Sequence, residues 1–465
     1  MKKEEQYIIK TIYALIDENS QETKGGESIV LDGIEKQSFQ TSPRKLLERD
    51  WDPATWLLMV KDPRLIGINL EVDDDSQSNW YEVDFIVGPS EHANAELYFL
   101  KANEETIPSP VRIISAKIIN NQKIIQKLRS FSRLSGSPRT SKNQVQILID
   151  NAMIGMQKRM LVVYDVGQAN WHALVDVDNC PNTPPPVHLF FDFGVPTGWN
   201  YSTQPSPPID PLGSKYVNLE APVILSHWDM DHWAGAALGQ PLYGNRGLVI
   251  NWDPRAVASR TWLVPNQGRF QSGQKITPTA WRLALALHRH RNLLIWPSLM
   301  TRVQSISGDW VVKCTPSGTV PRNNNNTGLA LFIAQHDSEF SSDYILAPSD
   351  AEYVSVYAHM TAISRINHLV ASHHGGALKV PTAIPIASSG CSKLAFSHGA
   401  KYGHPTPSAI NSHYGHRWRW QFETINRSPR PAGAVGSIGL GGGISCAHIS
   451  LCQNCTTAIH TCPSS

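Results

Sequence analysis

After Met160 the sequence is dominated by short apolar segments that each end in a polar cluster. Segments of this length and composition predict buried β-strands, and Asp or His at their ends indicates chemistry along one rim of a sheet. We therefore expect an α/β fold in which sheets form a sandwich with a metal site at its rim. The segments are LVVYDVGQ, HLFFDFG, PVILSHWDMDH, LALFIAQH, YILAPSD, HLVASHHGG and KLAFSHGA.

The chain of 465 residues is too long for one small core, so we expect two or three domains. Residues 1–150 contain alternating strand patterns and a helical pattern, which predict an accessory α+β domain. A linker rich in Ser, Arg, Pro and Gly is expected over 132–143, close to the domain boundary, and the main domain is expected over 158–430. Within it, the Pro-rich segment 202–214 and the helical, basic segment 279–292 are expected at the surface or rim.

Residues 431–465 are expected to form a Gly-rich tether and a Cys/His-containing tail. A C-x-x-C pair with flanking Cys and His could hold a structural zinc ion, although a disordered tail or plain thiols are the alternative. The residues concerned are Cys446, His448, Cys452, Cys455, His460 and Cys462.

The composition limits the cellular compartment and the partners that we expect for this chain. No stretch approaches the roughly 20 apolar residues of a membrane-spanning helix, so we expect a soluble chain with no membrane contact. Seven cysteines, three of them scattered singly, argue against a secreted disulfide framework and favour a reducing, cytoplasmic compartment. Residues 1–150 hold 19 basic and 23 acidic residues, which leaves 22 and 16 for the remainder, a mild excess of +6.

The segment SHWDMDHWAG carries the strongest chemical signal. It places His227, Asp229, Asp231 and His232 within six residues, directly after the apolar run PVILS. On an extended strand end, residues 227, 229 and 231 would project to one side, and a turn into the following helix would bring His232 beside them. The alternative is a polar strand end on which Asp231 caps that helix.

Two further strand ends offer ligands. Asp350 follows the run YILAPS, and His373 and His374 follow HLVAS. Because a carboxylate has two oxygens, it can bridge two cations, whereas an imidazole cannot, so Asp350 is the candidate bridge.

Seven motifs in this order resemble the metallo-β-lactamase fold superfamily, and within it the hydrolase-like domain of ComEC-like competence proteins. The resemblance covers residues 158–415 approximately. The motifs are YDVGQAN, FFDFG, SHWDMDHWAG, NNNNTGLALFI, APSDAE, SHHGG and KYGHPTP.

This resemblance implies an αββα sandwich and two divalent metal ions, zinc or manganese. His227 and Asp229 would hold one cation and Asp231 and His232 the other, with Asp350 between them. One of His373 and His374 would complete the second site. The common pattern of the superfamily has His at the position of Asp229, and another His at the position of an Asn in the NNNN run, which we take to be Asn324. Oxygen ligands are therefore more abundant in this chain. They favour manganese or magnesium relative to a three-imidazole zinc site.

With two cations in place, a bridging water would become a hydroxide nucleophile oriented by Asp231. His404, or the second histidine of the pair, would protonate the leaving group. Asp165 and Gln168 would line the site floor or hold its loops, and Asn324 and His404 are further candidates for substrate binding. Trp228 and Trp233 are expected to pack rather than to stack on a base.

The function that these features favour is hydrolysis of a phosphodiester, with nucleic acid or a nucleotide as substrate. Two alternatives stay open: hydrolysis of a small ester, lactone or cyclic nucleotide, or a non-catalytic binding or scaffold protein. In the scaffold alternative, residues 1–150 and the tail would recognise a protein partner.

Overall fold

The computed structural model describes eighteen ranges of the chain, and the description below is confined to them. The cysteines and histidines of the predicted zinc-binding tail lie outside the described residues, so that prediction stays open. The ranges are 8–20, 28–42, 51–68, 79–88, 91–101, 107–134, 139–177, 186–198, 203–205, 208–213, 220–239, 242–268, 275–318, 320–335, 343–363, 365–399, 403–424 and 437–441.

The N-terminal part is a closed antiparallel barrel in which the last strand of the circuit pairs back with the first. The circuit runs β1-β2-β3-β5-β6-β4. Tyr81, Val83 and Phe85 point into the barrel while the intervening residues are more exposed, as the alternation of side chains along a strand requires. The strands are β1 (Lys10–Ser20), β2 (Ser28–Glu35), β3 (Thr55–Val60), β4 (Tyr81–Val87), β5 (Ala95–Leu97) and β6 (Pro110–Ile118).

Two seven-stranded sheets follow, with orders β14-β13-β10-β9-β8-β7-β22 and β15-β16-β17-β18-β19-β20-β21, and β11 and β12 pair separately. Their strands are β7 (Arg159–Val163), β8 (Trp171–Asp176), β9 (Val187–Phe193), β10 (Val223–Ile224), β11 (Leu242–Gly244), β12 (Gly247–Val249), β13 (Trp262–Val264), β14 (Leu293–Ile295), β15 (Arg302–Gln304), β16 (Trp310–Lys313), β17 (Leu329–Gln335), β18 (Asp343–Ala347), β19 (Arg365–Val370), β20 (Lys393–Phe396), β21 (Trp420–Glu423) and β22 (Ile438–Gly441).

One hydrophobic core contains residues of both seven-stranded sheets. Leu161 and Phe191 of the first sheet and Leu331 and Ile345 of the second belong to it, and all four are fully buried. The sheets therefore share a core that excludes water, which is the main stabilising contribution to this part of the molecule. The prediction of a mixed α/β chain is confirmed.

The described α-helices are α1 (Lys36–Gln40), α2 (Gln122–Phe131), α3 (Lys142–Met153), α4 (Pro254–Val257), α5 (Pro278–Arg289), α6 (Tyr353–Met360) and α7 (Pro407–Gly415). Helix α3 begins with a capping box, in which Ser141 and Gln144 satisfy each other's backbone N–H groups.

Helix α5 lies against the barrel and is not the surface element that the sequence predicts. Residues 278–287 are all buried. The carboxylate of Asp32 in β2 accepts hydrogen bonds from the backbone N–H and the hydroxyl of Thr279, and Arg282 donates to the hydroxyl of Thr55 at 3.0 Å. A basic helix is buried here because carboxylate and hydroxyl groups of the barrel satisfy its polar atoms.

Within the described ranges, no helix is both long enough and apolar enough to span a lipid bilayer. Cys314 is a buried free thiol, whereas Cys391 is disulfide-bonded.

Glycines allow the loops at the strand ends to approach one another closely. A Cβ on Gly194 would overlap the carbonyl oxygen of Asp231, and a Cβ on Gly328 would overlap that of Ser226. The Gly194 N–H donates to the carbonyl of Asn170 at 2.8 Å, so the backbone at this position is fixed on both sides. Only glycine fits such a contact without moving the backbone.

We expect Gly194→Ala to lower the free energy of unfolding by about 3 kcal/mol or more, because the new methyl group overlaps backbone rather than a flexible side chain. Thermal and urea unfolding would measure the loss. The control is Gly390→Ala, where the methyl group meets nothing within 4 Å. Equal stability of the two variants would contradict the proposed close contact.

Candidate metal centre

The candidate site lies where the carboxyl ends of strands from both sheets meet. Strands β9 and β10 are parallel in the first sheet, and β18, β19 and β20 are parallel in the second. The carboxyl ends of parallel strands lie at the same edge of a sheet. Asp192, His227, Asp350 and His374 are at, or directly after, the ends of β9, β10, β18 and β19.

The loop after β10 differs from its predicted form. The strand ends at Ile224, residues Met230–His232 form a 3-10 turn, and the expected small-residue helix is only a second 3-10 turn, Ala234–Ala236. The side chain of Asp229 makes no capping hydrogen bond at the start of the first turn, and the residue at the start of the second is Trp233. A capping role for Asp231 is therefore not what the structure shows.

Three buried histidines are held by one ring nitrogen each. Nδ1 of His374 lies 2.7 Å from the carbonyl oxygen of Ser397, and Nδ1 of His232 lies 3.0 Å from a carboxylate oxygen of Asp192. Because these oxygens can only accept, each Nδ1 carries the proton, and in the neutral ring Nε2 keeps its lone pair. Nδ1 of His227 lies 2.9 Å from the hydroxyl of Ser226, which can accept in the same way.

The other ring nitrogens of these histidines converge. Nε2 of His227, His232 and His374 is buried in each case and makes no hydrogen bond among the described residues. Nε2 of His227 is 3.2 Å from Asp229 Oδ2, and Nε2 of His374 is 3.3 Å from Asp231 Oδ2. Buried nitrogens without hydrogen bonds are costly unless something satisfies them, and carboxylates at this range are the natural co-ligands of a cation.

Two sets of three ligand atoms, each set within 4.8 Å, could hold a metal ion: His227, His232 and Asp350, and Asp231, His232 and His374. His232 is common to both sets, but one Nε2 binds one ion. The carboxylate of Asp350 lies between the two sets, with Oδ2 3.5 Å from His232 Nε2 and Oδ1 3.8 Å from His374 Nε2. The donor set could therefore hold a metal ion.

Asn170 is a site residue that the sequence analysis missed. Its side-chain amide donates to Oδ1 of Asp350 at 2.9 Å and so orients the carboxylate. It is the last residue of the motif YDVGQAN, in which Asp165 and Gln168 are the predicted site residues. An amide that directly precedes a buried strand, here β8, was the available signal.

Asn324 holds Asp229 rather than facing the site opening. Its amide nitrogen donates to Oδ1 of Asp229 at 3.0 Å and to the backbone carbonyl of Lys275 at 2.9 Å, while its oxygen accepts from the Lys275 N–H. Burial opposes ionisation of Asp229, yet His227 and Asn324 lower its pKa to about 2. The carboxylate is therefore charged and fixed at neutral pH.

Of the two adjacent histidines, His374 faces the carboxylates and His373 lies at the opening. The side chain of His373 is 49% exposed, with Nδ1 3.9 Å from Asp350 Oδ2. Both residues have positive φ, 47° and 55°, as do Ser349 at 56° and Asp192 at 61°. Left-handed backbone at four non-glycine residues of one site is energetically costly and is typical of functional sites.

The side chains of His404 and Gln168 are hydrogen-bonded to each other. The Gln168 amide nitrogen lies 3.4 Å from Nδ1 of His404, and its oxygen accepts from the Gly399 N–H at 3.0 Å. Burial, with His374 and His373 nearby, lowers the pKa of His404 to about 3, so the ring is neutral. Gln168 thus holds a loop. Asp165 is buried and belongs to neither ligand set.

The two tryptophans beside the ligands are buried. Trp228 donates its indole N–H to the carbonyl of Pro265, and Trp233 donates to the carbonyl of Trp228. Neither ring is available to stack on a base.

Asp192 connects the two sheets at the site. Its carboxylate is fully buried and accepts from the N–H and hydroxyl of Ser226, from the hydroxyl of Ser349 at 2.9 Å and from Nδ1 of His232. Burial opposes its ionisation, but the imidazoles of His232 and His227 lower its pKa. A charged Asp192 therefore fixes the tautomer of His232.

The charges of the site are mutually dependent. Burial disfavours the charged form of His232, but Asp231, Asp350 and Asp192 raise its pKa well above 6.5. Asp350 and Asp231 raise the pKa of His374 in the same way, against burial. Burial opposes ionisation of Asp350, yet His232 and His374 lower its pKa well below 3.8. Without a cation, protons on the histidines balance the carboxylates.

Comparison with known proteins gives two structural neighbours. No family model and no curated protein matches the chain. The solved structure of Tm1679, a metal-dependent hydrolase of the β-lactamase superfamily, matches with 9% identity and a TM-score of 0.31, covering 61% of this chain and 98% of that one. A mutant of the CmlA β-hydroxylase matches with 11% identity and a TM-score of 0.29, covering 87% and 77%.

We expect Asp192→Asn to weaken divalent-metal binding by about 10- to 100-fold, because the neutral amide no longer fixes the proton on Nδ1 of His232. Titration against a chromophoric chelator would measure the affinity. The control is Asp343→Asn, a buried carboxylate of the second sheet that pairs with Arg365. Unchanged affinity in Asp192→Asn would contradict this role.

The raised pKa values of His232 and His374 predict that a rise in pH lowers the stability of the metal-free chain but increases the stabilisation by a bound metal ion. In the metal-free chain the stabilisation from these protons is complete below pH 6.5 and is lost as pH rises through the raised pKa values. A cation replaces these protons, so its own stabilising effect grows with pH. The increase in melting temperature on adding Mn(II) should therefore be larger at about pH 8 than at about pH 6, and a constant or falling increase would contradict the assignment.

Proposed function

We propose that this chain is a metal-dependent hydrolase of the metallo-β-lactamase fold that cleaves phosphodiesters, with nucleic acid as the substrate class. The observation that carries the proposal is the convergence of three buried Nε2 atoms without hydrogen bonds on the carboxylates of Asp229, Asp231 and Asp350. A purely structural role would not require three buried imidazoles whose Nε2 atoms make no hydrogen bond and lie beside carboxylates.

The arrangement of layers supports this fold. The two sheets share a core, helix α5 packs on the side of the first sheet that faces away from it, and α6 packs on the corresponding side of the second. This is the order of an αββα sandwich, which we assign to residues 158–430 together with strand β22 (Ile438–Gly441), which pairs with β7 within the segment expected to be a tether. Residues 1–150 are assigned as an accessory domain.

We assign one cation to His227 and Asp229 and the other to Asp231, His232 and His374, with Asp350 between them. Two such ions, when bound, would lower the pKa of a bound water to near neutrality and would neutralise negative charge that develops on a phosphate. The oxygen-rich donor set favours Mn(II), although zinc binds nitrogen and oxygen donors more tightly in general.

The protein groups have distinct tasks in this proposal. Asp231, whose oxygens lie 3.6 Å from His232 Nε2 and 3.3 Å from His374 Nε2, would accept the proton of the attacking water. His404 is buried and neutral, which makes it a hydrogen-bond donor for the substrate rather than an acid. The half-exposed His373 is therefore our candidate for protonating the leaving group.

The opening of the site supports a large substrate. Among the described residues, the side chains of Asp229 and His373 are 31% and 49% exposed, so the ligands are reached from the surface. The excess of +6 in residues 151–465 is favourable for a polyanion, although modest. Nucleic acid fits both features.

We expect wild-type protein with Mn(II) to cleave single- or double-stranded DNA or RNA, and Asp231→Ala to lose about 10²-fold or more of that activity. Asp62→Ala in the barrel, an exposed carboxylate, is the matched control and should retain full activity. Metal content measured alongside would separate lost binding from lost chemistry.

Two results would contradict the proposed function in part or as a whole. Hydrolysis of a cyclic nucleotide, ester or lactone with no cleavage of any polymer would retain the hydrolase and exclude the nuclease. Fewer than one bound metal per chain after purification without chelators would exclude the hydrolase and favour a scaffold.

A further inference from the structure

The turn that carries His373 and His374 is strained and must be held by its surroundings. Two consecutive non-glycine residues have left-handed backbone there, with φ and ψ of 47° and 50° at His373 and 55° and 15° at His374. Left-handed backbone is energetically unfavourable for residues that carry a Cβ. Relaxation of the turn would rotate Nε2 of His374 away from Asp231.

A buried tyrosine hydroxyl meets the start of this turn. The backbone N–H of Ser372 donates to the hydroxyl of Tyr353 at 3.1 Å, and that hydroxyl lies 2.8 Å from Nε2 of His413. Tyr353 is the first residue of α6 and His413 lies in α7, so the three groups connect two helices to the turn. Ser372, Tyr353 and His413 are each at most 1% exposed.

The hydrogens of this network can point in one direction only. Nδ1 of His413 lies 2.7 Å from the carbonyl oxygen of Ala409, which must accept, so Nδ1 carries the proton and Nε2 of the neutral ring accepts. The Tyr353 hydroxyl then donates to Nε2, and its oxygen is left to accept from Ser372. Each of these donors meets an acceptor, and the three residues are buried.

We propose that Tyr353 is a positioning residue for the metal centre, and that His413 acts through it. The hydroxyl anchors the backbone immediately before His373, while the carbonyl of Ser397 anchors the ring of His374 two residues later. The strained turn is fixed at both ends, and this is what keeps Nε2 of His374 directed at Asp231. The inference rests on the proposed metal-dependent hydrolase, and it extends that site to two residues that contact no ligand atom.

The test compares Tyr353→Phe with Tyr344→Phe. The control removes a hydroxyl from the same half of the molecule, where its hydrogen bond within the described ranges is to the carbonyl of Gly308 at 3.4 Å. We expect Tyr353→Phe to weaken metal binding by about 10-fold and to alter the visible absorption spectrum of the Co(II)-substituted protein, because the second cation loses a fixed imidazole. His413→Leu, which removes the acceptor of the hydroxyl together with the hydrogen bond from Nδ1 to Ala409, should give the same spectral change to a smaller degree.

A second readout uses no metal. In metal-free protein labelled with 15N-histidine, Tyr353→Phe should shift or broaden the imidazole signals of His373 and His374, and Tyr344→Phe should not. Signals, spectrum and affinity all equal to those of the control would overturn the positioning role, as would a loss of thermal stability without any of these changes. A wild-type chain that binds no metal but shows the imidazole changes would leave the positioning role intact and refute only the hydrolase.

Discussion

The buried carboxylate of Asp192 is the interaction on which the site depends. It accepts hydrogen bonds from Ser226 after β10 and from Ser349 after β18. One charged group therefore connects a loop of the first sheet with a loop of the second. It also fixes the proton of His232, and through it the direction of Nε2. A buried charge is tolerated only when its partners are complete, so this arrangement ties the packing of the sandwich directly to the geometry of the ligands.

The backbone around the ligands is held under strain. Asp192, Ser349, His373 and His374 all have positive φ, and the loop of Asp231 approaches Gly194 so closely that no other side chain fits. Such strain persists only where the rest of the fold overdetermines it. The core shared by the two sheets, the hydrogen bond from Asn170 to Asp350 and that from the Ser372 N–H to the Tyr353 hydroxyl supply this support.

The sequence alone indicated much of the site, because its ligand-type residues follow apolar strands and the carboxyl ends of parallel strands meet. It predicted that His227, Asp229, Asp231, His232, Asp350 and one of the paired histidines converge, and the structure brings these groups together. It did not predict closure of the barrel, burial of α5 or the 3-10 turn over Met230–His232. These depend on contacts between distant segments, such as Asp32 with Thr279. The roles of Asn170, Tyr353 and His413 were missed for the same reason: their partners lie far away in the sequence.

The most direct test is a crystal structure of the chain soaked in Mn(II), with anomalous scattering recorded to locate the metal. Two anomalous peaks on either side of the Asp350 carboxylate, one near His227 and Asp229 and one near Asp231, His232 and His374, are the predicted result. No peak at this position in fully soaked crystals, with the three Nε2 atoms hydrogen-bonded to water instead, would contradict the account.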